Sequence, residues 1–370
     1  MQNTVKYAVG LIFAFVCSLS ADPLRVLPVM SFRYNPTSRD AFVKTMMPLL
    51  EQSGISFVTT NPDLVMICGR AKREVCEKFS QYPVVILDEE ESASLDPETR
   101  ECVKLSYVKA VYKNTVLRER EKYNYPSVGT EAFSSNKNYL GNNSYHFKII
   151  SDSCKKLPLK KLTLLTNQEL KKIQCMLWDT FRGSLKDDLQ TIKDEAIDFN
   201  QERPVDASFA CTMRVNEFPG FHRQQALRRL KAVRGYNIAI ETKWLQKKDY
   251  FKLLKSSKIV ISPWGLGEWC WRDYEAIHTG AILIKPDTSF VQAVPDLYQN
   301  DLYYVPCKAD FSDLGEKIAY VLKNYSKFIE MRKRAKKLLV DNWNHEMHAK
   351  KLAQALKKIV SEYRNEKERV

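Results

Sequence analysis

Glycine and proline are sparse in this chain, 12 and 15 among 370 residues, and no low-complexity tract runs through it. That excludes a collagen-like or fibrous protein. With 44% hydrophobic and 28% charged residues the composition is that of a globular one. None of the nine cysteines stands at the CxxC spacing of a zinc site, so no metal is expected. No apolar run reaches the roughly 20 residues of a comfortable membrane-spanning helix. RRM, KH and zinc-finger patterns are missing as well, so nucleic acid is not expected as a partner. No internal repeat is evident, and the length suits two domains of ordinary size.

What the chain does have is positive charge. A formal net charge of +14 suits an anionic partner such as phosphate groups, anionic lipid or acidic glycan, without choosing among them. The N-terminus reads MQNTVKYAVGLIFAFVCSLSADP. Lys6, an apolar stretch from Tyr7 to Val16, and the small Ser18 and Ser20 have the layout of a cleavable signal peptide over residues 1–21. A short signal anchor is the alternative. The first implies the secretory pathway, in the ER or Golgi lumen of a eukaryote; the second implies membrane attachment, facing the cytoplasm in a bacterium. Loss of Cys17 with such a leader leaves eight cysteines, a number that permits disulfides without fixing their pairing. The triplets Asn142-Asn143-Ser144 and Asn324-Tyr325-Ser326 are compatible with that route.

After the leader, short apolar runs (LRVLPV, ISFV, DLVMIC, PVVIL) alternate with helical spacing in DAFVKTMMPLLEQSG and KREVCEKFSQ. This predicts an α/β fold with a parallel sheet. From Glu119 to Ser153 tyrosine, asparagine and serine crowd into a long surface excursion, and from Asn167 to Ile197 the spacing predicts one long helix. At Arg203-Pro204 the pattern restarts, with strands in ASFACTM, YNIAIE, KIVIS, AILIK and LYYVP separated by helices. The chain therefore divides into residues 22–203 and 204–370. The second part ends in a basic helical run whose Leu338, Leu339, Leu352, Leu356 and Ile359 face the core. Its charged face is either plain solvated surface or a contact for a membrane surface.

Ligands of open parallel sheets bind outside the carboxyl ends of the strands. Three segments leave strands of the second half at that edge: Thr212-Met213-Arg214, Ser262-Pro263-Trp264-Gly265 and Pro286-Asp287. Gly265 and Gly267 let the backbone turn into a helix whose free N–H groups suit a phosphate. Arg272 suits bidentate contact with phosphate oxygens, and Glu275, on the same helix face, suits a pair of ribose hydroxyls. An ion pair from Glu268 to Arg272, worth about 0.3 kcal/mol, explains the same spacing equally well. Arg214 and Arg223 flank the preceding helix start and suit a diphosphate clamp. His222 beside them is either a ligand donor or a helix cap.

In the order SPWGLGEWCWRDYEAIHTGAILIK, followed by LYYVPCKADFSDL, the stretch from Asp206 to Asn324 resembles the donor-binding domain of GT-B glycosyltransferases, particularly the exostosin and CAP10-like groups. The resemblance covers about a third of the chain. It implies two Rossmann-like domains facing across a cleft, residues 22–203 on the acceptor side and 204–370 binding a nucleotide-sugar. It also implies a glycosyltransferase that moves a hexose or pentose from that donor, as a UDP-sugar, to a protein or glycan acceptor. Glu275 would bind the ribose, Arg272, Arg214 and Arg223 the diphosphate, with His222, Ser262 and Gly265 at the same donor site. Retaining relatives carry a glutamate eight residues before the ribose one; here Gly267 stands there, with Glu268 one place off. Stereochemistry therefore stays open. An inverting enzyme needs a base, for which Asp88, Glu89 and Glu90 are candidates by position. Cationic side chains would carry the leaving diphosphate, so no cofactor is obligatory. A non-catalytic glycan- or nucleotide-binding protein that retains the fold is the alternative.

Overall fold

The computed structural model describes residues 22–31, 42–69, 71–88, 93, 95, 97–124, 164–176, 195–213, 218–265 and 267–369. The leader, the surface excursion past residue 124, Glu89, Glu90 and Arg214 lie outside these residues. The first half supplies strands β1 (Leu24–Ser31), β2 (Ile55–Phe57), β3 (Leu64–Gly69), β4 (Val84–Asp88), β5 (Val108–Lys113), β6 (Thr115–Leu117) and β7 (Ile173–Cys175). Between them lie helices α1 (Met47–Gln52), α2 (Arg73–Glu77), α3 (Pro97–Val103) and α4 (Asn167–Lys171). All strands but β6 join a parallel sheet in the order β2-β1-β3-β4-β5-β7.

The second half supplies β8 (Val205–Ala210), β9 (Ile238–Glu241), β10 (Ser257–Ile261), β11 (Ile282–Pro286), β12 (Val291–Ala293) and β13 (Val305–Cys307). Helices α5 (Phe218–Ala232), α6 (Lys247–Ser256), α7 (Trp271–His278), α8 (Leu314–Lys323), α9 (Ile329–Asp341) and α10 (His345–Glu368) complete it. All strands but β12 form a second parallel sheet, β13-β11-β10-β8-β9. Two Rossmann-like α/β domains are thus present, as expected.

Strand side chains alternate between faces, so a strand buried on both faces reads as an unbroken apolar run. In β3 and β4, Val65, Ile67, Val84 and Ile86 enter one core, while Met66, Cys68, Val85 and Leu87 enter another. The second core is closed from outside by α10, through Leu352, Ala353, Leu356 and Val360. This corrects the division at 204–370: the last helix belongs to the first domain by packing. Polar contacts agree, since Lys357 Nζ donates to the Ser53 carbonyl (2.9 Å) and Arg364 pairs with Asp63 (2.7 Å). A break in the helical run at Asn342, Trp343 and Asn344, between α9 and α10, lets it cross from one domain to the other.

A second correction concerns the long helix expected from Asn167. It ends at Lys171, and Ile173 to Cys175 form β7 against the open edge of β5, with Val111 N–H donating to the Lys172 carbonyl (2.8 Å). Apolar spacing cannot distinguish a short strand from a helical turn; the free sheet edge decides it.

The carboxyl ends of both sheets face each other, because segments leaving them meet. Just past β5, β6 pairs antiparallel with β12 from the other domain (Val291↔Leu117, Gln292↔Val116, Ala293↔Thr115). Arg118 clamps this ribbon, its two terminal nitrogens donating to the two carboxylate oxygens of Asp296 at 3.0 and 2.8 Å. At the predicted joint, buried Arg203 donates to the Ser257 (2.9 Å) and Thr279 (2.6 Å) carbonyls, placing positive charge at the C-terminal ends of α6 and α7.

Candidate functional site

Helix α7 positions the site, and its ends explain why it stops where it does. At its start Asp273 accepts from the Cys270 N–H (3.1 Å), the reach-back half of a capping box. At its end Gly280 N–H donates to Ile277 and Ala281 N–H to Ala276, the paired bonds of a Schellman turn. Gly280 takes φ of +76°, and a Cβ there would come within 2.9 Å of Ile197. Only glycine fits that turn.

Between these ends the helix divides its charges by face. Asp273 is fully buried and pairs with Lys285 of β11 at 3.1 Å, while accepting from Ser262 Oγ (2.6 Å) and Tyr298 Oη (2.7 Å). Arg272 and Glu275 lie on the other face, and they do not form an ion pair. Arg272 Nε donates to the Ala210 carbonyl at the end of β8 (3.0 Å), and its terminal nitrogens make no hydrogen bond to the described residues. Glu275 accepts a 2.6 Å hydrogen bond from Tyr250 Oη of α6. Glu268, the other partner proposed for Arg272, instead accepts from the Ala93 N–H of the first domain (2.7 Å). The ion-pair explanation of the spacing therefore fails, and the arginine fork is left open at the carboxyl edge of the sheet.

Electrostatics follow from this placement. Burial pushes the Glu275 carboxyl above its ordinary value, with the Tyr250 hydrogen bond and then the Arg272 charge pulling the other way. Burial and the neighbouring Glu275 charge raise the Tyr250 phenol in turn, so it stays a donor. Arg223 donates to the Thr212 carbonyl (2.7 Å), two residues beyond the carbonyl that holds Arg272. Both guanidinium groups thus stand at the end of β8, where burial pushes the Cys211 thiol up and each of their charges offsets part of that rise.

Four expected site residues take other places. His222 is buried and stacked on Trp264, with ring centroids 4.7 Å apart. Its Nδ1 accepts from the Trp264 N–H (3.1 Å), which leaves Nε2–H to donate to the Ala309 carbonyl (3.0 Å). The ring ties two loops, at Trp264 and Ala309, to helix α5. Ser262 has its hydroxyl committed to Asp273. Gly265 does not adopt a left-handed φ, and a Cβ would meet Cys270 Cβ only at 3.6 Å. Its lack of a side chain leaves room over the loop instead of enabling a turn. Asp88, at the end of β4, is sealed with Lys113 at 2.8 Å and both side chains fully buried.

The structure therefore brings together Arg223, Arg272 and Glu275 and adds Tyr250, which spacing within DYFKLLKSS did not single out. The Asp273–Lys285 pair was missed too. Its one sequence signal is a lysine closing the apolar run AILIK, where a buried cation requires a buried acid.

No protein-family model matches the chain, and no curated protein sequence does so. Solved structures resemble it in fold. A glycosyltransferase from Rickettsia africae is 12% identical, with 92% of this chain and 99% of that one covered and a TM-score of 0.49. An alpha1,3-fucosyltransferase is 13% identical, covering 92% and 91%, at a TM-score of 0.46. Anabaena HepE, solved in complex with UDP-glucose, is 10% identical over 91% and 100%, at a TM-score of 0.43.

Proposed function

We propose that the chain is a glycosyltransferase of the exostosin and CAP10-like kind, using a nucleotide-sugar, a UDP-sugar, to glycosylate a protein or glycan. The observation that carries this reading is the split between Arg272 and Glu275 on one helix face. An anchored guanidinium with open terminal nitrogens matches a diphosphate. A buried carboxylate with one hydrogen bond from Tyr250 retains acceptor capacity for two ribose hydroxyls. Arg272 and Arg223 carry the leaving diphosphate's charge, so the reaction needs no obligatory metal.

Full-length protein is tested with a panel of UDP- and GDP-sugars without added metal, following heat stabilisation and nucleotide release. One nucleotide class stabilises the wild type, Glu275→Gln abolishes that stabilisation, and nucleotide release names the sugar. A folded protein stabilised by no nucleotide would sink the donor site. The sealed Asp88 favours a second reading, a binding protein without transfer; stabilisation without release under any acceptor condition sustains it.

The pH dependence has a definite sign. Glu275 is raised above its unfolded value, so on acidification the folded protein takes up this proton first. Donor affinity falls as pH drops into the window just above the ordinary carboxylate range, because the acceptor is lost. Folding stability moves the opposite way there, as a buried charge is removed. Tyr250→Phe shifts the affinity step to higher pH, and calorimetric titration of UDP between neutral and acidic pH reads it.

A further inference from the structure

Helices α2 and α3 pack side by side on the first sheet, and each contributes one cysteine to the seam. Cys76 and Cys102 are fully buried in the same apolar core, and their sulfurs stand 3.2 Å apart across 26 residues of sequence. This is the one sulfur–sulfur contact among the described cysteines. Cys175 and Cys270, by contrast, sit against the Asn114 carbonyl and the Ser262 hydroxyl. The core cluster around the pair is apolar, including Ala71, Val103 and Leu105.

We infer that Cys76 and Cys102 are joined by a disulfide in the mature protein. The sulfurs have to close from 3.2 Å to about 2.05 Å, a movement small enough for side-chain rotation. The oxidant is a disulfide donor. One cysteine, as thiolate, attacks a donor sulfur and releases the first donor thiol, giving a mixed disulfide. The second thiolate then attacks the protein sulfur of that mixed disulfide and releases the second donor thiol. Two protein thiols and one donor disulfide thus become one protein disulfide and two donor thiols. The exchange takes place as the chain folds, before the seam closes, and the bond persists in an oxidising compartment. That is the setting a leader at residues 1–21 implies.

The cross-link also braces the domain contact. Arg100, two residues before Cys102 on α3, donates to the Tyr123 carbonyl, and Tyr123 Oη donates to the Ala93 carbonyl (2.6 Å). Ala93 N–H in turn meets Glu268 of the second domain. Fixing α3 to α2 therefore fixes the outer support of this chain of contacts.

Trypsin separates the two residues cleanly, since Cys76 falls in the peptide Glu74 to Lys78 and Cys102 in Glu101 to Lys104. Full-length protein is unfolded, refolded in a glutathione and glutathione-disulfide buffer, alkylated in denaturant without reduction, digested and mapped by mass spectrometry. The expected product is the two peptides joined and lighter by two hydrogens, separating on reduction. Reductant then lowers the Tm by on the order of 5 °C, a shift that Cys76→Ala/Cys102→Ala lacks. Recovery of both peptides alkylated, or of either cysteine joined elsewhere, overturns the inference. The peptide map decides the matter even if the double variant does not fold.

Discussion

Replacing Arg272 with Ala lowers single-turnover nucleotide release by about 10²–10³-fold at saturating donor. The side chain is held by Nε on the Ala210 carbonyl (3.0 Å), which fixes the guanidinium plane before any ligand arrives. As the glycosidic bond breaks, negative charge grows on the departing diphosphate, and a pre-positioned fork gains more from that charge than from the intact donor. The loss therefore falls mainly on turnover rather than on donor affinity. Arg272→Lys restores only part of it, because a point charge lacks both the Nε anchor and the planar pair of donors. Circular dichroism confirms that each variant folds. An unchanged rate in a folded Arg272→Ala protein would reduce this residue to a prop for the β8 carbonyl.

Asp273→Ala destabilises the second domain by about 3–5 kcal/mol, measured by guanidinium unfolding. Removing the carboxylate leaves Lys285 charged and fully buried, and it strips an acceptor from Ser262, Tyr298 and the Cys270 N–H at once. The attraction within such a pair only partly offsets its desolvation, so losing one member is worse than losing both. Asp273→Asn combined with Lys285→Met is accordingly more stable than Asp273→Asn alone. A cost for Asp273→Ala below about 0.5 kcal/mol, the range of ordinary surface changes, would mean that Lys285 escapes to water.

The two effects separate cleanly along α7. Arg272 reaches the end of β8, where the proposed donor site lies; Asp273, the next residue, faces inward and pairs with Lys285. Helical geometry turns each residue by about 100° from its neighbour, which is why adjacent charges serve unrelated ends. Sequence spacing reveals that rotation but not which side is wet.

Much of the fold was legible because buried parallel strands advertise themselves as short apolar runs. All but one end residue of each of DLVMIC, PVVIL, KIVIS and AILIK falls in strands β3, β4, β10 and β11. Less legible was anything decided by a partner far along the chain. Ile173 to Cys175 becomes a strand only because β5 has an open edge. Neither β6 nor β12 is a strand without the other, and they are more than 170 residues apart. Of the candidate site, Arg272, Glu275 and Arg223 could be singled out from charge near strand ends. Tyr250 was not, because a tyrosine on an amphipathic helix looks like core until its hydroxyl is seen to meet Glu275. His222 and Ser262 misled for the complementary reason. Polar residues beside a cleft can be turned inward to satisfy loops and buried acids, and spacing is blind to that direction.

The placement of α10 has a consequence for how the protein is made. The outer face of the first sheet is finished by residues Leu352 to Val360, which leave the ribosome after everything else that face requires. At roughly 5–20 residues per second, the apolar side chains of β3 and β4 wait tens of seconds for their cover. Through that interval the nascent domain presents a surface that chaperones bind and other chains can join. Any message truncated before the last helix yields a protein whose earliest-made part, rather than its missing end, is the damaged one.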